Sequence, residues 1–368
     1  MRKTYKYRLY PTGNQTNAID ETLETHRRIY NRALDERKTA WEQAKQSISY
    51  GAQSASYKIT RETNEYYQET NFSSVQRTLR RLDKAFKAFF RRIKSGDKPG
   101  YPRFKGRNRF DSIEFNYADG AKIRDNGKLY IQHIGEIKAK FHRPIKGVIK
   151  TVTIKRQAGK YYACFSCETE PQPLEPTGVA VGLDLGISKF VTTSDGEFFE
   201  PPKFLRASER NLRRQQRKVA RRKKGSNRRR KAVRQLKKTH LRIADQRRDN
   251  AHKVARILIN QYDVIAVEDL NTIGLIKNHH LAKSIADAAW NTFIIILAQK
   301  AEEAARKLIK VDPKYTSQEC SQCGEIVKKD LSVRTHECPR CGLVLDRDIN
   351  AAKNILKKAL DPDGAIAA

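Results

Sequence analysis

Tyr5, Tyr7 and Leu9 alternate with Lys6 and Arg8 ahead of Pro11, Thr12 and Gly13. That period of two predicts a strand over residues 1–10 with one face turned to a core. From about residue 14 to 94 the period lengthens. Val75, Leu79, Leu82, Phe86 and Phe89 recur at three- and four-residue spacing with basic residues between them, an amphipathic helix with a cationic back. Residues 95–170 are interrupted by Gly, Pro, Asp-Gly and Asn-Gly around short alternating runs at 128–134, 148–154 and 161–167. They predict a small β-rich domain, a barrel that the opening strand would complete. Pro171, Pro173 and Pro176 mark a linker. Beyond it, apolar runs at 179–185 and 264–267 read as buried strands, with another strand near 190–193. A helix is expected over 285–309, then a cysteine cluster and a last short helix.

Composition adds a partner to this outline. Lys and Arg number 75 against 41 Asp and Glu among 368 residues, a formal charge of +34, too large for an ordinary cytosolic enzyme acting on small molecules, and it points to a polyanion. Between Lys203 and Lys253 there are 22 basic and 3 acidic residues, over half of the whole excess. In isolation such a run also reads as a disordered tail or localisation signal. Here it lies between two core strands of one domain, so both ends are fixed. Two basic helical arms around Gly225-Ser226-Asn227 are expected to line a nucleic-acid channel. The longest strongly apolar stretch, 293–298, falls far short of the roughly 18 residues of a membrane span. No apolar signal-peptide core opens the chain, and six cysteines are sparse, so reduced thiols and a cytoplasmic location are expected.

Cys320-Ser321-Gln322-Cys323-Gly324 and Cys338-Pro339-Arg340-Cys341-Gly342 form a paired zinc-knuckle pattern. Four such thiolates close a tetrahedral Zn²⁺ shell with no open position, so this metal is expected to be structural. Cys164 and Cys167 share the spacing but sit in an alternating strand, where residues three apart face opposite ways; they read as core or surface thiols. His279-His280 reads as exposed loop. No Gly-x4-Gly-Lys-Ser/Thr phosphate loop is present, which removes support for a nucleotide-driven motor.

The acidic candidates are Asp184 in Gly182-Leu183-Asp184-Leu185-Gly186, Glu268 at the end of the 264–267 run, and Asp348 in a helix that Asp346 could cap. Each alone has a plain explanation, since a strand-end acid is often a turn former. Together, three carboxylates on two strands and a helix are what a two-metal phosphodiester hydrolase requires.

Gly182-Leu183-Asp184-Leu185-Gly186, Val267-Glu268-Asp269-Leu270, residues 315–324 and Asp346-Arg347-Asp348-Ile349-Asn350-Ala351-Ala352 resemble the TnpB family, transposon-encoded RNA-guided DNA endonucleases related to type V CRISPR effectors. Arg8-Leu9-Tyr10-Pro11-Thr12, residues 82–90 and Tyr101-Pro102-Arg103-Phe104-Lys105 extend the likeness over nearly the whole chain. The resemblance implies a multidomain α+β protein: a wedge-type β-barrel (1–12 and 96–175) interrupted by a helical recognition domain (13–95), then an RNase H-like RuvC α/β domain (178–312 and 346–361) with basic helices at 203–257, an inserted zinc ribbon (313–345) and a tail (362–368). It implies Asp184, Glu268 and Asp348 as the catalytic acids on two Mg²⁺, with Mn²⁺ as a substitute, and Zn²⁺ on the four cysteines. Asp348 is preferred to Asp346, and Asp269 should face away.

The implied partners are a transposon-derived guide RNA and double-stranded target DNA, with no membrane and a monomer expected. A short motif beside the target would be met by Tyr50, Ser54 and Gln76. The guide–target duplex would lie on Arg213, Arg214, Arg217, Arg221, Arg222, Lys223, Lys224, Arg228 and Arg229. The 79 residues between Glu268 and Asp348 leave no room for an HNH nuclease, and all three acids are present. Two alternatives stand beside this: a zinc-stabilised nucleic-acid-binding protein without nuclease activity, and a DNA transposase.

Overall fold

A computed structural model describes residues 1–275, 281–330 and 333–361; His279-His280 and the tail 362–368 lie outside them. The chain divides into two units, Arg2–Thr169 and the residues from Glu170 on.

In the first unit the opening alternation becomes β1 (Arg2–Tyr10), and Thr12 ends it with a capping box: its hydroxyl accepts from the Gln15 amide while the Gln15 side chain accepts from the Thr12 amide. Four helices follow, α1 (Gly13–Ala44), α2 (Tyr50–Thr63), α3 (Glu65–Gln68) and α4 (Phe72–Lys94), then β2 (Ser112–Tyr117), β3 (Gly120–Ile123), β4 (Leu129–Ile131), β5 (Gly135–Lys140), β6 (Val148–Gln157) and β7 (Lys160–Glu168). The seven strands close a barrel in the order β1-β5-β4-β3-β2-β6-β7, so β1 does complete it. Closure removes the edges that short strands would otherwise expose. Tyr7, Leu9, Phe115 and Phe165 fill the interior. Cys164 is partly exposed and Cys167 buried, as opposite faces of β7 demand. His26 of α1 is fully buried between the Ser74 and Thr78 hydroxyls of α4, and burial, then Arg81, lower its pKa to about 3.

The second unit contains β8 (Ala180–Asp184), β9 (Val191–Thr193), β10 (Phe198–Phe199), α5 (Phe204–Ala220), α6 (Asn227–Gln261), β11 (Val264–Glu268), α7 (Thr272–Leu275), α8 (Ala282–Ala288), α9 (Trp290–Ala304), β12 (Lys307–Val311), β13 (Thr335–Glu337), β14 (Val344–Asp346) and α10 (Arg347–Leu360). A five-stranded mixed sheet runs β10-β9-β8-β11-β12, with β8, β11 and β12 parallel. Phe293 and Leu297 of α9 and Leu258 and Ile259 of α6 pack with Val181, Leu183, Ile265 and Val267 of the sheet in one core. The helix expected over 285–309 is corrected. It breaks at Ala289, whose φ is 54°, stops at Ala305, whose φ is 55°, and gives way to β12, where five residues pair with β11. Pairing with a neighbour 43 residues away leaves no mark in local periodicity. Among the described residues, no helix is long and apolar enough to cross a membrane.

Candidate metal-binding centres

The parallel register of β8 and β11 ends at Leu183 opposite Val267, so the next residues, Asp184 and Glu268, finish the two central strands side by side. Gly182 shares a face of β8 with Asp184. It is seated against α10 so tightly that a Cβ would lie 2.0 Å from the Ala352 carbonyl oxygen and 2.7 Å from the Leu356 amide. Only glycine permits that approach. Asp348 sits one helical turn from Ala352, about 6 Å along the axis, and Asp184 lies about 7 Å along the strand from Gly182. The Gly182–Ala352 contact thus brings Asp348 toward Asp184.

The electrostatics follow from that convergence. Burial, then Glu268, then Asp348 push the Asp184 carboxyl from 3.8 up to about 8, against the pull of Arg347. Burial also raises Glu268, opposed by a hydrogen bond from the Thr316 hydroxyl and by Lys358. Glu268 and Asp348 are each 8% exposed. Carboxylates so crowded and desolvated call for a cation. The donor set is all oxygen, which suits Mg²⁺ or Mn²⁺. The nearby Asp346 is spent elsewhere: it caps α10 through the amides of Asp348 and Ile349 and pairs with Lys189 at 2.8 Å. Asp269 is exposed and paired with Lys310 at 3.0 Å.

Cys320, Cys323, Cys338 and Cys341 bring their sulfurs within 4.8 Å of one another. Among the described residues no other set of three or more such side chains closes to that distance, so the acids form a looser group. Two sulfur pairs stand 3.6 Å and 3.5 Å apart. A tetrahedron with Zn–S bonds near 2.3 Å has edges of about 3.8 Å, so the four thiols fit zinc. Gly324 and Gly342, both at positive φ, let each knuckle turn close with a hydrogen bond from the glycine amide to the carbonyl oxygen of Cys320 or Cys338. Burial resists ionisation of Cys338, but the backbone amides of Cys341 and Arg340 aimed at its sulfur bring its pKa to about 7.

The basic run folds as the helical pair α5 and α6, joined at 221–226. Asp287 anchors it: its carboxylate accepts from the Leu205 amide at the start of α5 and from Arg247 of α6 at 2.7 Å. Arg213, Arg214, Arg217 and Arg221 line an open groove of about 1080 Å³, although Arg213 also bonds Glu209 at 2.7 Å. Arg222 and Arg228 line a second groove, while Lys223 and Lys224 are exposed in the joint and Arg229 is half-buried. In the other unit Gln76 reaches Ser54 at 3.5 Å, and Arg80 donates to the Tyr50 hydroxyl at 3.1 Å while lying over its ring. Arg80, Asp287 and Thr316 carried no sequence signal, because each gains its meaning from a partner 30 to 82 residues away.

Known proteins similar to this chain point to one family. Family profiles described as "Probable transposase", "Cas12f1-like, TNB domain" and "Helix-turn-helix domain" match residues 164–279, 290–355 and 1–46; the last span folds as β1 and α1. A Streptomyces pristinaespiralis protein named "Putative RNA-guided DNA endonuclease" is 35% identical over 98% of this chain and 90% of its own length. The chain belongs to the TnpB family. The similarly named InsQ of Escherichia coli K12 is 31% identical over 88% of this TnpB-family chain and 83% of its own. A solved structure of the mini-RNA-guided endonuclease CRISPR-Cas_phi3 shares the fold with a TM-score of 0.50 at 10% identity, covering 98% of this chain and 92% of that one.

Proposed function

We propose that this chain is an RNA-guided DNA endonuclease in which Asp184, Glu268 and Asp348 are the catalytic acids. The observation that carries the reading is the convergence of three carboxylates from β8, β11 and α10, enforced by the parallel register and by Gly182. Asp184, Glu268 and Asp348 would hold a pair of Mg²⁺ ions, with Mn²⁺ as a substitute. Such ions supply an activated water and stabilise the leaving oxygen. The protein's own part is to hold the three acids against their repulsion. Asp184, whose proton burial and then the neighbouring acids favour, would lose that proton on taking up a cation, and the hydrogen bond from Thr316 fixes one Glu268 oxygen. The grooves on α5 and α6 take the phosphates of a guide RNA paired with target DNA, a contact blind to sequence and steeply weakened by salt. Tyr50, Ser54 and Gln76, with Arg80, form a polar patch suited to reading a short motif beside the target. Residues 1–12 and 96–175 are then the wedge, 13–95 the recognition helices, 178–312 and 346–361 the nuclease, and 313–345 the zinc ribbon.

The test is cleavage of a plasmid carrying the guide match, in Mg²⁺, by wild type and by Asp184→Ala, Glu268→Ala and Asp348→Ala. Cutting by wild type alone is expected. Equal cutting by all four rejects the assignment, and tight RNA binding with no cutting by any favours a binding protein. The "Probable transposase" profile over 164–279 supports a second reading. Excision and joining of transposon ends without guide RNA would establish that one instead.

A further inference from the structure

Thr316, Asn350 and Asn354 are buried polar side chains that ligate at neither centre, yet they join the two. Asn354, 2% exposed, donates to the Thr316 carbonyl oxygen at 2.8 Å and to the Glu319 carbonyl oxygen at 2.6 Å. Asn350, fully buried, donates to the Glu319 carbonyl oxygen at 2.7 Å and accepts from the Ser321 amide at 2.9 Å. Both belong to α10, the helix that carries Asp348, and both grip residues 316–321, the segment that leads into the first knuckle turn at Cys320. Thr316, in the same segment, donates a hydroxyl hydrogen bond to Glu268, the alternative acceptor being the Pro313 carbonyl oxygen at 3.0 Å. One turn of the cysteine knuckle is therefore bonded on one side to the helix of Asp348 and on the other to Glu268 itself. Buried bonds of this kind have no water to replace them, so the segment and its partners move together or not at all.

We propose that Thr316, Asn350 and Asn354 are positioning residues that make the zinc knuckle the template for the acid site: thiolate closure around zinc fixes residues 316–321, and these hold Glu268 and Asp348 at the spacing a divalent pair requires. The inference rests on the reading of the three acids as a metal site. Side chains that orient ligands without touching the metal commonly govern affinity by about 10- to 100-fold.

The test measures Mn²⁺ binding by calorimetry, zinc content, and the Mg²⁺ dependence of cutting on the full, zinc-loaded chain. Thr316→Val should keep one zinc per chain, weaken Mn²⁺ binding about tenfold, and raise the Mg²⁺ needed for half-maximal cutting while leaving the maximal rate within a few-fold. Thr316→Ser should restore both. Asn354→Ala should weaken Mn²⁺ binding similarly and speed zinc loss to a chromogenic chelator. Wild-type Mn²⁺ affinity in Thr316→Val, or failure of Thr316→Ser to recover what the valine loses, overturns the proposal. If Thr316→Val loses its zinc, Asn354→Ala decides by the same Mn²⁺ readout, wild-type affinity again overturning it. Equal Mn²⁺ binding by wild type and Asp184→Ala would instead overturn the acid site itself, leaving the two failures distinguishable.

Discussion

The second unit carries two candidate ligand clusters built on opposite plans. The four thiols come from two tight turns, each closed by its own glycine, and already stand at spacings suited to one ion. The three carboxylates come from two strands and a helix drawn from residues 180–360 and lie in a looser group, where burial first and then Glu268 and Asp348 push the Asp184 carboxyl up to about 8. One cluster is local and closed, which suits a structural ion. The other is assembled by tertiary packing and strained when empty, which suits ions that must also meet a substrate.

That contrast breaks in order of size. Asp184→Asn removes a ligand but also the charge conflict, so cutting should fall about a thousandfold or more while the metal-free chain melts a few degrees higher by calorimetry. Unchanged cutting would end the catalytic role, and an unchanged or lower melting point would end the strain. Cys320→Ser should abolish stoichiometric zinc, lower the melting temperature by about 10 °C or more, and weaken Mn²⁺ binding through the knuckle–acid connection. Gly182→Ala forces a methyl into the backbone of α10 and should cost about 3 kcal/mol in chemical denaturation, with cutting lost and zinc retained; full cutting would show that α10 need not sit so close.

Smaller effects come with pH. Asp184 titrates higher folded than unfolded, so between about pH 4 and 8 the native state holds the extra proton and stability of the metal-free chain falls as pH rises, by up to about 1.4 kcal/mol per unit. Mg²⁺ should flatten that slope. His26 in the first unit acts in the opposite sense: its pKa of about 3 means the unfolded chain takes the proton below 6.5, so stability falls as pH drops from about 6.5 toward 3. Melting curves across this range with and without Mg²⁺ separate the two. Smallest of all, Arg217→Ala should reduce the slope of log affinity against log salt for an RNA–DNA duplex by about one unit.

Asp184 and Glu268 were legible because an acid closing an apolar run is a local anomaly, and the cysteines because metal spacing is itself local. Asp346 was legible as a helix cap, and it caps α10 through the amides of Asp348 and Ile349. What stayed hidden depends on partners far along the chain: the pairing of β12 with β11, the backbone break at Ala289, and the bonds of Thr316 and Asn354. The barrel sits between these cases, since β1 announced a strand but not that β5 and β7 would flank it.

The most direct measurement is an anomalous-scattering map at the manganese edge from crystals soaked in MnCl₂. The account predicts two peaks about 3.5–4 Å apart, each within bonding distance of carboxylate oxygens from Asp184, Glu268 or Asp348. A map with manganese elsewhere, and none among these three side chains, would contradict it.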